Sequence, residues 1–138
     1  MNALGTHLLL ELKACDPNLL DDLEYVRGAL LEAASSVGAT VVGDTFHKFS
    51  PYGVTGIVAI AESHLCIHTW PEYGYAAADI FTCGDSLAPQ KAAAVIVRKL
   101  KSREPTITEI RRGLFLQDDA DQKAVEDAHG FARQKQMV

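Results

Sequence analysis

The clearest signal in the sequence is the run Glu62-Ser63-His64-Leu65-Cys66-Ile67-His68-Thr69-Trp70-Pro71-Glu72-Tyr73-Gly74-Tyr75, which is followed shortly by Asp79-Ile80-Phe81-Thr82-Cys83-Gly84. Aromatic and β-branched residues favour strands at 64–70 and 75–83, and the intervening Pro71-Glu72-Tyr73-Gly74 is typical of a turn. Side chains able to act as nucleophile, base or acid crowd into these apolar runs. Because a core needs none of them, the hairpin predicts a reactive site.

Strand and helix signals extend from this hairpin in both directions. Alternating apolar residues from Leu8 to Ala14 predict a strand. Asp16-Pro17 supplies a capping residue and a first-turn proline for a helix over 17–37, which Gly38 would end. The remaining elements are predicted as strands at 39–49 and 54–61, a helix at 88–101 and a strand at 105–112.

This order predicts an α+β domain, a two-layer sandwich in which a mostly antiparallel sheet of six strands carries two helices on one face. The strand at 54–61 is apolar on both faces, with Val58 on one and Ile57 on the other. Two helices cover only one face of such a sheet. We therefore expect the bare face to pack against a second copy, giving a homodimer of four layers, αββα.

Size and charge narrow the class of protein. The 138 residues suffice for one domain, which we assign to 1–116, with 117–138 as a polar C-terminal tail. The net charge of −5 gives no reason to expect nucleic acid or an anionic membrane as partner. Three widely spaced cysteines argue against a disulfide framework or structural zinc and fit a reducing cytoplasm. The N-terminus has no signal-peptide pattern, which also favours the cytoplasm.

Polar residues of the hairpin permit several interpretations. His64 and His68 would suit a metal ion on a helix, but on a strand they lie roughly 13 Å apart, so no metal site is predicted. Ser63 could be a hydrolase nucleophile with His68 as its base, or it could simply cap a strand end. No Gly-x-Ser-x-Gly elbow surrounds it.

The second strand of the hairpin offers a thiol and a carboxylate. Period-two alternation places Tyr75, Asp79, Phe81 and Cys83 on one face. Cys83 could act as nucleophile or proton donor, or it could be a small buried hydrophobe. A carboxylate beside a thiol is more than a core requires, although Asp79 could merely end a ladder.

These segments together closely resemble the prokaryotic S-adenosylmethionine decarboxylases. The resemblance includes four further segments, which are Thr45-Phe46-His47-Lys48-Phe49, Pro51-Tyr52-Gly53-Val54, Leu4-Gly5-x-His7-Leu8 and Gly38-Ala39-Thr40. It covers about residue 3 to residue 114. Because a motif this long is highly specific, the chain is identified as a member of this family of pyruvoyl-dependent proenzymes.

The resemblance implies that the chain cuts itself between Glu62 and Ser63. The Ser63 hydroxyl would attack the Glu62 carbonyl to form an ester, and elimination with loss of ammonia would leave a pyruvoyl cofactor at the new N-terminus. The family assigns the proton abstraction of processing to the histidine matching His68. It also uses an assisting hydroxyl at the position of Thr55, where most members have serine, so Thr55 is a departure that adds a methyl group.

The resemblance also implies roles in decarboxylation. The pyruvoyl group forms a Schiff base with the substrate and accepts electrons as CO₂ departs, and the thiol matching Cys83 then protonates the α-carbon. Phe49 and Trp70 match aromatics suited to a sulfonium cation or adenine, and Glu72 matches a carboxylate suited to ribose hydroxyls. In the family these sites lie at the homodimer interface, and the product serves spermidine synthesis.

Two alternatives remain open. Relatives within the family decarboxylate arginine or ornithine, although Phe49, Trp70 and Glu72 favour S-adenosylmethionine. A non-catalytic ligand-binding homologue would never cleave, and the intact Ser63, His68 and Cys83 argue against it.

Strict alternation also places Ser63 and His68 on opposite faces of their strand. The resemblance therefore requires the backbone at 62–64 to turn or bulge, so that both side chains can reach one site.

Overall fold

The computed structural model describes residues 2–84 and 86–115. The described elements are β1 (Asn2–Lys13), α1 (Pro17–Leu20), α2 (Leu23–Ser36), β2 (Val41–Lys48), β3 (Val54–Ile60), β4 (Ser63–Trp70), β5 (Tyr75–Cys83), α3 (Pro89–Lys99) and β6 (Glu104–Phe115), with a 3₁₀ turn at Pro71–Tyr73. The predicted domain boundary at 116 and the predicted tail at 117–138 lie outside the described residues.

The six strands form one antiparallel sheet in the order β2-β3-β4-β5-β1-β6. Both long helices, α2 and α3, pack on the same face, so the predicted α+β two-layer sandwich is confirmed. The core between the layers consists of large aliphatic side chains that are almost fully buried, including Leu8, Leu10, Leu12, Val26, Leu30, Leu65, Ile67, Ile80, Ile96 and Leu100. Long pairing between β1 and β6 extends both strands beyond their predicted ends.

The prediction of one helix over 17–37 is wrong, because the helix is interrupted at Asp21 and Asp22. Asp22 accepts a hydrogen bond from the Tyr25 backbone N–H at 3.1 Å and so begins α2 anew. Asp21 pairs with Lys48 at 2.9 Å and accepts from the Gly53 N–H at 2.9 Å. The Lys48 ammonium, followed by that N–H, holds the pKa of Asp21 below its ordinary value. Contacts from distant parts of the chain thus select the break.

The opposite face of the sheet carries no helix within the described part of the chain, and we call it the open face. Alternation on β3 is as predicted, since Val58 is buried beneath the helices while Ile57 is 41% exposed. Large apolar side chains stand on this face at Leu9, Phe49, Ile57, Trp70, Ile110 and Leu114. Among the described helices, none has the length and apolar character needed to cross a bilayer.

Candidate active site

Ser63 begins β4 directly after a tight turn and has an unusual backbone. Its φ of 147° lies in a region that residues with a side chain rarely adopt. As a result, Ser63 Oγ lies 3.4 Å from Nδ1 of His64, a residue of the open face. The irregularity that the sequence required at 62–64 is therefore present.

The carbonyl group on the other side of the candidate cleavage bond is held in place. The Cys83 backbone N–H donates to the Glu62 carbonyl oxygen at 2.9 Å, and the Glu62 carboxylate accepts from the Thr40 N–H at 3.1 Å. The Cys83 thiol is exposed at the end of β5. Glu62, Ser63 and Cys83 thus lie together, and we call them the processing half-site.

A second group of predicted residues gathers at the other end of β4. Thr55 Oγ1 lies 3.0 Å from Nδ1 of His68. Trp70 stacks on Tyr75 with ring centroids 5.4 Å apart and planes inclined by 29°. These residues border a cavity of about 390 Å³ lined by Phe49, Tyr52, Thr55, His68, Thr69, Trp70 and Glu72. We call Phe49, Thr55, His68, Trp70 and Glu72 the binding half-site, although the roles predicted for Thr55 and His68 are in processing.

The two half-sites of one chain are well separated. Ser63 pairs with Ile60 and Thr82, whereas His68 pairs with Thr55 and Ala77 further along the ladder. Five residues at about 3.3 Å each place Ser63 and His68 roughly 16 Å apart. The turn at Ser63 directs the serine side chain to the open face, but it does not bring this side chain close to His68 of the same chain.

A third cluster on the open face was not foreseen from the sequence. His7 Nε2 and His64 Nε2 lie 2.9 and 3.0 Å from the same oxygen, Oδ2 of Asp79. The alternation of β1 does place His7 on a face with Leu9, but only the pairing of Leu9 with Asp79 shows which histidine and carboxylate meet. We call these three residues the histidine–aspartate cluster.

The histidine–aspartate cluster also has the composition of a metal site. Its three ligand atoms lie within 4.8 Å of one another, and it is the one such group found among the described residues. Both distances to Asp79 are those of ordinary N–H···O hydrogen bonds, and a single carboxylate oxygen accepts both. This arrangement satisfies the three side chains without an ion.

Two further titratable groups of the open face are held in their neutral forms. Burial, and then the charge of Asp79, raise the pKa of the Cys66 thiol to about 11. Burial, and then the hydrogen bond that its hydroxyl donates to Glu11, raise the pKa of Tyr75 to about 12. Neither group is therefore an anionic nucleophile near neutral pH.

Residues 6–113 match the S-adenosylmethionine decarboxylase family. The chain belongs to this family. It is 53% identical over 115 residues to the S-adenosylmethionine decarboxylase proenzyme of Thermodesulfovibrio yellowstonii, covering 83% of this chain and 85% of that protein. The proenzyme of the same name from Caldanaerobacter subterraneus is 52% identical over 115 residues, covering 83% of this chain and 93% of its own.

A solved member of the S-adenosylmethionine decarboxylase family has the same fold. The crystal structure of the adenosylmethionine decarboxylase from Aquifex aeolicus superposes with a TM-score of 0.80 at 33% identity, covering 86% of this chain and 98% of that one. The family recognised from the Glu62–Tyr75 run is thereby confirmed, and so is the fold that it implied.

Proposed function

We propose that this chain is a self-processing, pyruvoyl-dependent decarboxylase that converts S-adenosylmethionine to its decarboxylated form, a precursor for spermidine. The observation that carries the proposal is the rare backbone conformation of Ser63 beside a polarised Glu62 carbonyl. The proposal is also supported by the similar proteins of this family, which are named proenzymes. We expect the enzyme to act in the cytoplasm on a small amino-acid substrate.

The scissile bond is prepared by the backbone around it. The Cys83 N–H draws electron density from the Glu62 carbonyl, which favours attack by a hydroxyl and stabilises the oxyanion that follows. The strained φ of Ser63 is relieved when the peptide bond is cut. The Ser63 residue supplies the atoms of the pyruvoyl group, which serves as an electron sink for the carbanion left when CO₂ departs.

Separation of the half-sites supports an active site built from two copies. Ser63 and His68 lie at opposite ends of β4, so a two-fold axis near the middle of this strand would exchange their positions. The processing half-site of one copy would then face the binding half-site of the other. The apolar side chains of the open face provide the surface that such packing would bury.

The binding half-site has the chemistry that a sulfonium nucleoside requires. Phe49 and Trp70 are large, partly exposed aromatics whose faces attract cations and stack on adenine. Glu72 lines the same cavity and can accept hydrogen bonds from ribose hydroxyls. The exposure of Cys83 supports a role for its thiol in returning a proton to the α-carbon of the substrate.

Arginine and ornithine are less suitable substrates for this half-site. Neither has a purine ring to stack between aromatics or a ribose for Glu72, and the similar proteins are named for S-adenosylmethionine. A non-catalytic homologue would have no use for the strained serine.

Mass spectrometry under denaturing conditions tests the proposal directly. We expect fragments 1–62 and 63–138, the second starting with a pyruvoyl group, and CO₂ release from S-adenosylmethionine rather than from arginine or ornithine. Ser63→Ala serves as the uncleavable control. A chain that stays intact on prolonged incubation would contradict self-processing, and CO₂ release from another amino acid alone would contradict the substrate.

A further inference from the structure

A continuous row of hydrogen-bonding side chains crosses four strands of the open face and ends at Ser63. Ser63 Oγ lies 3.4 Å from His64 Nδ1, and His64 Nε2 lies 3.0 Å from Asp79 Oδ2. The same oxygen lies 2.9 Å from His7 Nε2, and His7 Nδ1 lies 3.5 Å from Arg112 Nη1. The row therefore begins at a guanidinium that can only donate and ends at a hydroxyl.

The direction of each hydrogen bond in this row follows from the groups themselves. An ionised carboxylate only accepts, so His7 and His64 both donate to Asp79 from Nε2. A neutral imidazole that donates from Nε2 carries a lone pair on Nδ1. Arg112 donates to that lone pair on His7, whereas the lone pair on His64 faces the Ser63 hydroxyl. His64 is thereby held in the tautomer that can accept the proton of Ser63.

Packing fixes the rings in these orientations. His7 and His64 meet edge-on, with centroids 6.0 Å apart and planes at 89°, and the Phe81 ring contacts both. Arg112 lies over Phe81 at 5.0 Å. The two imidazoles and the carboxylate are at most 30% exposed, so solvent screens their interactions only in part.

Given the self-cleavage proposed above, we propose that His64, oriented by Asp79 and His7, is the base of the first processing step and acts on Ser63 of its own chain. The Ser63 oxygen forms a bond to the Glu62 carbonyl carbon while its proton moves to His64 Nδ1. The negative charge that develops on the Glu62 oxygen is stabilised by the Cys83 N–H.

The second half of this step returns the proton. The tetrahedral centre collapses, the bond from the Glu62 carbon to the Ser63 nitrogen breaks, and that nitrogen receives the proton from His64. The product is an ester with a free amine, and no atom has entered or left. The elimination that follows uses a different base, His68.

His68 is unsuited to the first step within its own chain. It lies roughly 16 Å from Ser63 along β4, and its Nδ1 lies 3.0 Å from the Thr55 hydroxyl. Within one chain, His64 and not His68 is therefore the histidine that reaches Ser63, while elimination depends on His68 of the second copy.

Hydroxylamine separates these two steps because it cleaves esters and leaves amides intact. The rate of ester formation is measured in freshly synthesised full-length chain, with and without hydroxylamine. His64→Asn keeps a polar group near the position of Nδ1 but cannot take a proton, so we expect ester formation to slow by about 100-fold or more. His68→Ala should still form the ester and accumulate it, so hydroxylamine should split this variant at Ser63.

Substitution of the carboxylate provides a second, independent variant. Asp79→Asn keeps an oxygen that can accept from both histidines but removes the negative charge that stabilises the imidazolium formed when His64 takes the Ser63 proton. Ester formation should therefore slow while the circular dichroism spectrum stays native. Asp44→Asn is the matched control, because Asp44 pairs with Arg27 at 2.9 Å and lies outside both half-sites. Its ester should form at the unsubstituted rate.

Mixed dimers test the assignment to one protomer. When a mass-tagged His64→Asn chain is paired with an unsubstituted chain, the tagged chain should stay intact and its companion should form the ester. A tagged His68→Ala chain paired in the same way should be cleaved, because its companion supplies His68.

The outcomes distinguish failure of this inference from failure of the proposed function. An unsubstituted chain that never cleaves overturns the function. If the unsubstituted chain cleaves, then ester formation at the normal rate in His64→Asn overturns the role of His64. If His64→Asn fails to fold, the same result in natively folded Asp79→Asn overturns it. Loss of cleavage in EDTA with recovery in zinc would overturn it as well, since the cluster would then be a metal site.

Discussion

Replacing Ile57 with alanine tests whether the open face forms the dimer on which the shared site depends. Ile57 lies near the centre of that face, where it pairs with Thr45 on β2 and Cys66 on β4. It is 41% exposed in the single protomer, whereas its neighbour Val58 is fully buried on the helix side. Ile57 belongs to neither half-site, so its substitution changes the interface and leaves the reacting groups in place.

The size of the effect follows from the exposed fraction of the side chain. Complete burial of an isoleucine is worth about 1.5–3 kcal/mol, and about two-fifths of it remains to be buried here. Allowing for the methyl group that alanine keeps, each copy loses about 0.5–1 kcal/mol. A two-fold interface contains the substitution twice, so the dimer should weaken by about 1–2 kcal/mol, or about 5- to 30-fold in Kd.

Analytical ultracentrifugation over a dilution series measures this Kd. Every chain compared also carries Ser63→Ala, so that all chains stay intact. The matched control is Ile107→Ala on β6, which is 45% exposed but shares the helix side of the sheet with its pairing partner Leu10. In chains that retain Ser63, the Ile57→Ala variant should also complete its cleavage more slowly at chain concentrations near the Kd. Equal Kd values for the Ile57 and Ile107 variants would refute the reasoning, and so would a monomer at every concentration.

Three other substitutions or treatments give separate expectations. Gly56→Ala would place a Cβ 2.0 Å from Phe46 ring carbons, so it should lower the free energy of unfolding by about 1–3 kcal/mol in urea titrations, and an unchanged midpoint would contradict the packing. Cys83→Ala keeps the backbone N–H that binds the Glu62 carbonyl, so the chain should still cleave. It removes the thiol, so the rate of decarboxylation should fall by about 100-fold or more, and a normal rate would remove the thiol from the mechanism. Cys66 should resist iodoacetamide at pH 8 and react as the pH approaches about 11, because burial keeps it protonated, and rapid labelling at pH 8 in folded protein would disagree.

The parts of the fold predicted correctly are those governed by local alternation. Val58 and Ile57 are neighbours in the chain with opposite side-chain directions, and together with the two predicted helices they indicated a sheet with one face under helices and one face bare. The break at Asp21 could not be read in the same way. It depends on Lys48 and Gly53, which approach only after the sheet has formed.

The candidate site was predictable by residue type but not by arrangement. Similarity to a known family indicated Ser63, His68 and Cys83 without indicating that β4 separates Ser63 from His68. The meeting of His7 with Asp79 spans 72 positions of sequence and depends on the register between β1 and β5. Register is set by many pairings at once, so no single residue of the sequence predicts it.

The position of the two half-sites at opposite ends of one strand has a consequence for when activity begins. If elimination requires His68 from another copy, a newly made chain cannot mature alone, and the rate of maturation rises with the square of the number of unpaired chains. Slow synthesis would leave dormant polypeptide, whereas a burst of synthesis would convert most of it. The onset of decarboxylation then depends on the concentration of unpaired chains, because β4 holds Ser63 and His68 of one chain too far apart to react together.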